Sequence, residues 1–296
     1  MRHWLSAFRL RTLPLALSSI AMGAFLARAA GAFAWDVFFW SIITTIFLQI
    51  LSNLANDYGD FVHGADHDDR KGPQRAVQSG MISPASMRTA IGLFVVLSLM
   101  SGLVLLYTAF GFDWRAIGFF LMLGLLSIVA AVTYTAGRKP YGYIGLGDVS
   151  VLVFFGIVGV LGSYYLFTHS ISVAELFPAL STGLLAVAVL NVNNIRDIDS
   201  DRKAGKYSIP VRIGRERAVR YHQLLLVAAV VFAIAYTLVR FEGIWQFLFL
   251  LATPLLVRNA KAVRRLPAAQ LDPWLKHMAL SALAFVILFG TGLLLS

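Results

Sequence analysis

The run "VFFWSIITTIFLQILSNLANDYGD", residues 37–60, decides the fold. Its first twenty residues, to Asn56, carry no charge, and its last four hold Asp57 and Asp60. An apolar run of about 20 residues is long enough to cross a hydrocarbon core as an α-helix. Lipid offers the backbone no hydrogen bonds, so the run satisfies its own as a helix. The continuation, "FVHGADHDDRKGP" (residues 61–73), adds Asp66, Asp68, Asp69, Arg70 and Lys71. A lipid-crossing helix that ends in so many carboxylates needs a chemical reason.

The whole chain repeats the apolar theme. Hydrophobic residues make up 58% of it and charged residues 14%, with a mean hydropathy of +0.75. Soluble domains carry about 25% charged residues, so this composition belongs in a bilayer. Charge-free stretches fall at 12–27, 37–56, 89–112, 116–137, 149–174, 176–195, 221–239, 243–257 and 277–296. The expectation is an all-α polytopic membrane protein with nine transmembrane helices, forming one membrane domain over 1–296. The first and eighth stretches are short, so their helices extend into charged flanks or sit tilted. The opening, "MRHWLSAFRLRTLPLALSSIAMGAFLARAAGA", has signal-peptide features, but eight further spans favour an uncleaved first helix. The chain has no cysteine, which excludes disulfides, thiolate metal sites and cysteine nucleophiles.

The net charge of +10 is mostly topology. With the N-terminus inside, 22 of the 25 Lys and Arg fall on inner segments, and Arg28, Arg115 and Arg240 lie outside. That asymmetry predicts a cytoplasmic N-terminus, a C-terminus on the opposite side and an odd helix count. It argues against nucleic acid as a partner. Membrane lipid is the expected surround, with attraction for anionic lipid and phosphorylated substrates.

A second acidic segment follows the sixth stretch: "LNVNNIRDIDSDRKAGKYSIPVRIG", residues 190–214. Asn194, Asp197 and Asp201 are spaced i, i+3, i+7, which stacks them on one helical face. Asn53, Asn56, Asp57 and Asp60 also share a face, so the two segments read as an inexact internal repeat. Carboxylates this close repel one another and resist leaving water. A divalent cation removes both penalties, and oxygen-only ligands suit Mg2+ sharing its shell with a substrate phosphate. Arg70, Lys71, Arg75, Arg138, Lys139, Arg202 and Lys206 suit phosphate oxygens. Solvated helix ends are the bland alternative, and two matching segments on one side of the membrane weigh against it. Asp66, Asp68 and Asp69 read equally as solvated loop or as a second metal position.

At these residues the chain resembles the UbiA superfamily of intramembrane aromatic prenyltransferases. The family's aspartate motifs are matched by "NDYGD" (56–60) and "DIDSD" (197–201), and the likeness continues through "LRTLPLA", "DRKGPQRAVQSGMIS" and "YTAGRKPYGYIGLGDVSVLVFFG". More narrowly it is similar to the MenA branch, whose members prenylate 1,4-dihydroxy-2-naphthoate in menaquinone synthesis. The resemblance implies helices bundled around a central cavity that opens to the cytoplasm, in the bacterial inner membrane. It also implies two Mg2+ ions bridging a polyprenyl diphosphate to both motifs. Asn56, Asp57, Asp60, Asp197 and Asp201 are then metal ligands or their supports, with Asn53 and Asn194 behind them. Arg70, Arg75, Arg138, Lys139 and Lys206 would hold diphosphate. Many relatives carry a further Asp where this chain has Gly64, which leaves Asp66 as the candidate third carboxylate of the first motif. A relative pattern places Lys four residues after a Tyr; here Tyr134 is followed at that spacing by Arg138, then Lys139. Asp148 matches an acidic position of the family, either orienting or deprotonating the acceptor or capping a helix start.

The Gly-x-Gly of "GYIGLGD" opens a membrane helix without a preceding strand, so it reads as close packing rather than a dinucleotide loop. His63 and His67, in an Asp-rich loop, read as solvated. The rival readings are prenylation of another aromatic acid such as 4-hydroxybenzoate, and an ion-coupled transporter. A transporter would place its charges near the bilayer midplane, whereas here they cluster at one face.

Overall fold

The computed structural model describes residues 2–64, 75–137 and 140–296. The long helices are α1 (Leu13–Ala29), α2 (Trp35–Val62), α3 (Pro84–Phe110), α4 (Trp114–Thr133) and α5 (Gly147–Thr168). They continue with α6 (Leu176–Arg196), α7 (Arg215–Val239), α8 (Thr253–Arg265) and α9 (Asp272–Leu295). Among the described residues there is no strand, and eight helices are long and apolar enough to cross a bilayer. The protein is therefore integral to a membrane.

The eighth expected span is the exception. Ile244–Ala252 winds as a 3-10 helix, and α8 begins only at Thr253. Pro254 supplies the reason: an α-helix running through it would lose a hydrogen bond and clash with the carbonyl four residues back. Proline is accepted in a first turn, so α8 starts there and the chain before it takes the tighter winding. Arg258, Lys261, Arg264 and Arg265 then place most of α8 at the polar edge.

Two other boundaries differ from the charge-free stretches. The helix of the opening run continues through its carboxylates to Val62, so the whole first motif is helical. The stretch 149–174 breaks at His169, whose left-handed backbone (φ 55°) ends α5.

α2 lies along α3, α6 along α7, and α9 packs on both α1 and α6. α5 lies against α1 and α6 and so joins the two groups. The larger core is made mainly by α1, α5 to α9 and the 3-10 helix Ile244–Ala252 around Met22, Leu26, Leu185, Phe249, Phe285 and Phe289, with Val37, Leu105, Leu106 and Ile117 joining it from α2, α3 and α4. A smaller one seats the short N-terminal helix Arg2–Ala7 against Leu51, Leu54 and Phe94. The outer faces of α3 and α4 expose Val96, Met100, Phe119, Met122 and Leu126, as lipid-facing surfaces do. Between α5 and α6 the backbones meet at two glycines. A Cβ added at Gly183 would lie 2.9 Å from the Gly156 Cα and 3.1 Å from the Leu152 carbonyl oxygen. Small residues allow this approach, which is how membrane helices gain packing energy without a solvent-driven hydrophobic effect.

Replacing Gly183 by Val should overpack that contact at a cost of about 1–3 kcal/mol. Thermal unfolding of purified protein in detergent checks it, and an unchanged midpoint would mean the helices are not so closely apposed.

Candidate active site

The two acidic motifs meet at one end of the bundle. The first rides on the last turns of α2. The second is broken: α6 stops at Arg196, Asp197 sits in the bridge region (φ −99°, ψ 12°), and a short helix runs Ile198–Lys203. Asn194, Asp197 and Asp201 therefore do not share one straight helical face, although the Asp201 amide still reaches the Asp197 carbonyl at 2.8 Å. Gly59, inside the first motif, lets Thr135 close on α2, since a Cβ there would fall 2.7 Å from the Thr135 backbone. The Thr135 hydroxyl donates to the Asn56 side-chain oxygen at 3.2 Å.

Asp60, Asp197 and Asp201 each face a cation. Asp60 pairs with Arg75 and accepts a hydrogen bond from the Tyr143 hydroxyl at 2.8 Å. Arg75 also donates to the Asn56 carbonyl at 2.8 Å. Asp201 lies 3.3 Å from the Lys206 ammonium. Asp197 is gripped in a fork by Arg196, at 2.8 and 2.7 Å. That guanidinium reaches on to Asp272 at 2.6 Å and to the Asn193 side-chain oxygen at 2.8 Å. Arg11 closes the chain on Asp272 at 2.9 Å. Asp57 accepts from the Ala76 amide at 3.2 Å, and its second oxygen is buried without a hydrogen-bond partner. Burial opposes the charge on Lys206, yet the Asp201 and Asp60 carboxylates hold it above the ordinary lysine range. Burial pushes the Tyr134 hydroxyl up to about 12, with Lys206 pulling the other way. Burial and then Asp60 raise the Tyr143 hydroxyl as well. Both tyrosines stay protonated at neutral pH, and Tyr143 donates its hydroxyl to Asp60.

A cavity of about 440 Å³ runs from this end into the bundle. Arg9, Asn53, Asn56, Asp60, Arg75, Tyr134, Asn193 and Lys206 line its polar part, and Leu105, Leu106, Phe120, Phe154 and Leu166 its apolar part. A second, polar cavity of about 290 Å³ adjoins it, lined by Arg9, Arg11, Asp57, Arg75, Asn193 and Arg196. Arg9, Arg75 and Asn193 belong to both walls.

The structure thus gathers Asn53, Asn56, Asp60, Arg75, Tyr134 and Lys206 on one wall, with Asp57 facing the adjoining pocket. Three expected roles change. The Asn53 amide donates to the Phe8 carbonyl (2.9 Å) and the Thr12 hydroxyl (3.0 Å), so it anchors the N-terminal bend. Asn194 is buried beside the wall, and its neighbour Asn193 takes the lining position, one residue round the helix. Asp148 accepts from the Tyr221 hydroxyl at 2.8 Å and does not line the large cavity, which leaves it a tie between α5 and α7. Asp66, Arg70, Arg138 and Lys139 lie outside the described residues. Sequence reasoning passed over Tyr143, Arg196, Asp272 and Arg9. Arg196, directly before the second motif, was the one with a local signal.

Among the described residues no three acidic or histidine side chains converge into a ready metal cage. The donor chemistry nevertheless fits Mg2+. The groups are oxygen ligands only, and the buried Asp57 Oδ1, Asn194 Oδ1 and Asp201 Oδ2 have no hydrogen-bond partner. Arg75 and Lys206 carry the compensating charge at Asp60 and Asp201.

Residues 16–283 match the UbiA prenyltransferase family. The Escherichia coli (strain K12) protein named 1,4-dihydroxy-2-naphthoate octaprenyltransferase is 48% identical, over 99% of this chain and 95% of its own length. The apo structure of a UbiA homolog from Aeropyrum pernix K1 superposes with a TM-score of 0.71 at 19% identity, covering 97% of this chain and 98% of that one. A UbiA homolog from Archaeoglobus fulgidus bound to DMAPP and Mg2+ superposes with a TM-score of 0.59 at 17% identity, over 95% and 98%.

Arg196→Met should strand the buried Asp197 carboxylate without its partner, at a cost of about 3–5 kcal/mol. The readout is the thermal midpoint in detergent. A variant as stable as the parent would show that the fork does not hold the second motif.

Proposed function

The chain belongs to the UbiA prenyltransferase family, and from that premise we propose that it transfers a polyprenyl chain from polyprenyl diphosphate to 1,4-dihydroxy-2-naphthoate. The carboxyl carbon leaves as carbon dioxide, and the product is demethylmenaquinol, a step of menaquinone synthesis. The name of the E. coli relative, 48% identical over nearly the whole chain, supports this acceptor and an octaprenyl donor. The observation in the structure that carries it is one cavity joining a buried carboxylate–cation end to an apolar interior. Such a space suits a substrate with a charged head and an isoprenoid tail.

Mg2+, two ions in this reading, would be held by Asn56, Asp57, Asp60, Asp197 and Asp201 and would neutralise the departing pyrophosphate. Arg75 and Lys206 bind the diphosphate oxygens from the cavity wall, and the family resemblance assigns Arg70, Arg138 and Lys139 to the same diphosphate. Tyr143 orients the Asp60 carboxylate, and Tyr134 offers a protonated hydroxyl to the charged head. The apolar walls keep water from the allylic cation that forms as the carbon–oxygen bond breaks and pyrophosphate takes the electron pair. The electron-rich ring attacks that carbon through the position bearing its carboxylate. The electrons of the carbon–carboxylate bond then return to the ring as carbon dioxide leaves. Decarboxylation replaces deprotonation at the prenylated carbon, so no base is needed there. That agrees with an Asp148 tied to Tyr221 rather than facing the cavity.

The family resemblance supports a bacterial inner-membrane location, and the charge asymmetry supports the N-terminus and the motif end toward the cytoplasm with the C-terminus opposite.

Purified protein with Mg2+, octaprenyl diphosphate and carboxyl-labelled naphthoate should release one labelled carbon dioxide per pyrophosphate. Pyrophosphate release with 4-hydroxybenzoate alone would overturn the acceptor, and none with any aromatic acid would overturn the reaction. Asp57→Asn should lower kcat by at least about 100-fold with the melting midpoint preserved. A near-normal rate would remove Asp57 from the metal ligands.

A further inference from the structure

Between Glu242 and Asp272 the chain carries no acid, and the last eight residues of α8 hold Arg258, Lys261, Arg264 and Arg265. All four are exposed, while Leu256, Asn259, Ala262 and Val263 are buried against the bundle. Arg258, Lys261 and Arg265 are spaced i, i+3, i+7, so they form one stripe, turned away from the buried face. No carboxylate among the described residues pairs with any of the four. That sets them apart from Arg11, Arg75, Arg196 and Lys206, each of which stands on an aspartate. The sorting of basic residues to one side of the membrane asks for cations on this segment but not for a stripe. The support under the stripe is tightly built. The buried Asn259 amide donates to the Trp274 carbonyl at 2.9 Å, and its oxygen accepts from the His222 Nε2 at 3.0 Å. α7, α8 and α9 thereby share one polar tie. Arg215 adds to it by donating to the Val263 and Leu266 carbonyls at the end of α8. The Trp274 ring is held beside the stripe, its centroid 5.7 Å from the Arg258 guanidinium carbon.

We propose that this stripe binds the headgroup of an anionic glycerophospholipid, at a site separate from the two cavities. None of its cations lines either cavity. The stripe lies at the same end of the bundle as the acidic motifs, because α9 opens there with Asp272 against Arg196. Just before it in the chain, Leu251, Leu255 and Val257 are exposed. The outward surface of this segment therefore passes from apolar to cationic within about two turns, as the chains and head of a phospholipid do. Tryptophan is enriched at that level of a bilayer, where Trp274 stands. A free phosphate matches the cations but has nothing to lay along the leucines. A choline-headed lipid offers the same phosphodiester, yet it brings a cation of its own that the stripe repels. A headgroup with net negative charge meets neither objection, and the arginine forks suit its phosphate oxygens. A lipid seated here braces α8 on α9, the helix whose first residue backs Arg196.

The test adds lipid to the full chain in detergent and reads bound lipid by native mass spectrometry, with the thermal midpoint alongside. Phosphatidylglycerol should bind about 10- to 100-fold more tightly than phosphatidylcholine and raise the midpoint. Lys261→Glu should bring phosphatidylglycerol down to the phosphatidylcholine level, and Arg265→Gln should weaken it by about 3- to 10-fold. Arg88→Glu makes the same charge change as Lys261→Glu at an exposed position near the start of α3. It should leave phosphatidylglycerol within about twofold of the parent. All three positions are exposed, so the midpoints without lipid should stay close to the parent's. Equal weakening by Lys261→Glu and Arg88→Glu would make the attraction a matter of net charge and overturn the site. Equal binding of the two lipids by the parent would overturn it as well. Displacement of phosphatidylglycerol by millimolar inorganic phosphate would assign the stripe to a soluble anion and overturn the lipid. Displacement by geranyl diphosphate with Mg2+ would merge the stripe with the donor site and overturn its separateness.

Discussion

Burying carboxylates at the edge of a membrane bundle is the constraint from which the rest of this structure follows. An isolated ionised carboxylate in a low-dielectric interior is several kcal/mol out of equilibrium unless it is paired and hydrogen-bonded. Here Asp60, Asp197 and Asp201 are each buried, and each has its own cation from a different part of the chain: Arg75, Arg196 and Lys206. Those pairs decide where the loops after α2 and α6 must return. They also explain Tyr143, whose hydroxyl holds Asp60 while its carbonyl accepts from the Tyr207 amide at 2.8 Å, next to Lys206. The loop before α5 thereby bridges both motifs. Pairing of this kind is weak evidence for stability and better evidence for a site that must be charged and dry at once.

Much of this was legible in the sequence because lipid leaves few options. Charge-free runs name membrane helices, basic residues name their sides, and two Asn/Asp clusters after helices 2 and 6 name a charged site. What was not legible has physical causes. Pro254 turns an apolar run into a 3-10 helix, which hydropathy does not register. The break at Asp197 replaces an expected continuous face, because spacing rules assume an unbroken helix. Neighbouring asparagines 193 and 194 are identical in composition, and the helix rotation that puts one on the wall is set by distant packing. The Arg196–Asp272 contact joins residues 76 apart, and no local pattern announces such a partner.

The large cavity shows how one fold serves two unlike parts of a substrate. Its charged end draws on α2, the loop at Arg75 and the segment after α6. Its apolar end is walled by α3, α4 and α5, where Phe120 stacks on Tyr165 with ring centroids 5.5 Å apart. The glycines of α5 and α6 let the helices approach closely on one side, while α3 and α4 turn mostly apolar surface to lipid on the other. Rigidity at the head and fluid surroundings at the tail suit a donor whose reactive carbon must be fixed and whose length need not be.

The chain of contacts from Arg11 through Asp272 and Arg196 to Asp197 has a consequence for biosynthesis. Arg11 and Asp272 are separated by 261 residues, and a ribosome delivers them in that order. The Arg196 fork on Asp197 gains its Asp272 and Arg11 backing only once the last helix has been made and has packed against the first. A nascent chain therefore carries its acidic clusters into the membrane before the latch that arranges them exists. Competence arrives last, with the final helix, so a truncated product lacking α9 inserts as a membrane protein without a finished centre.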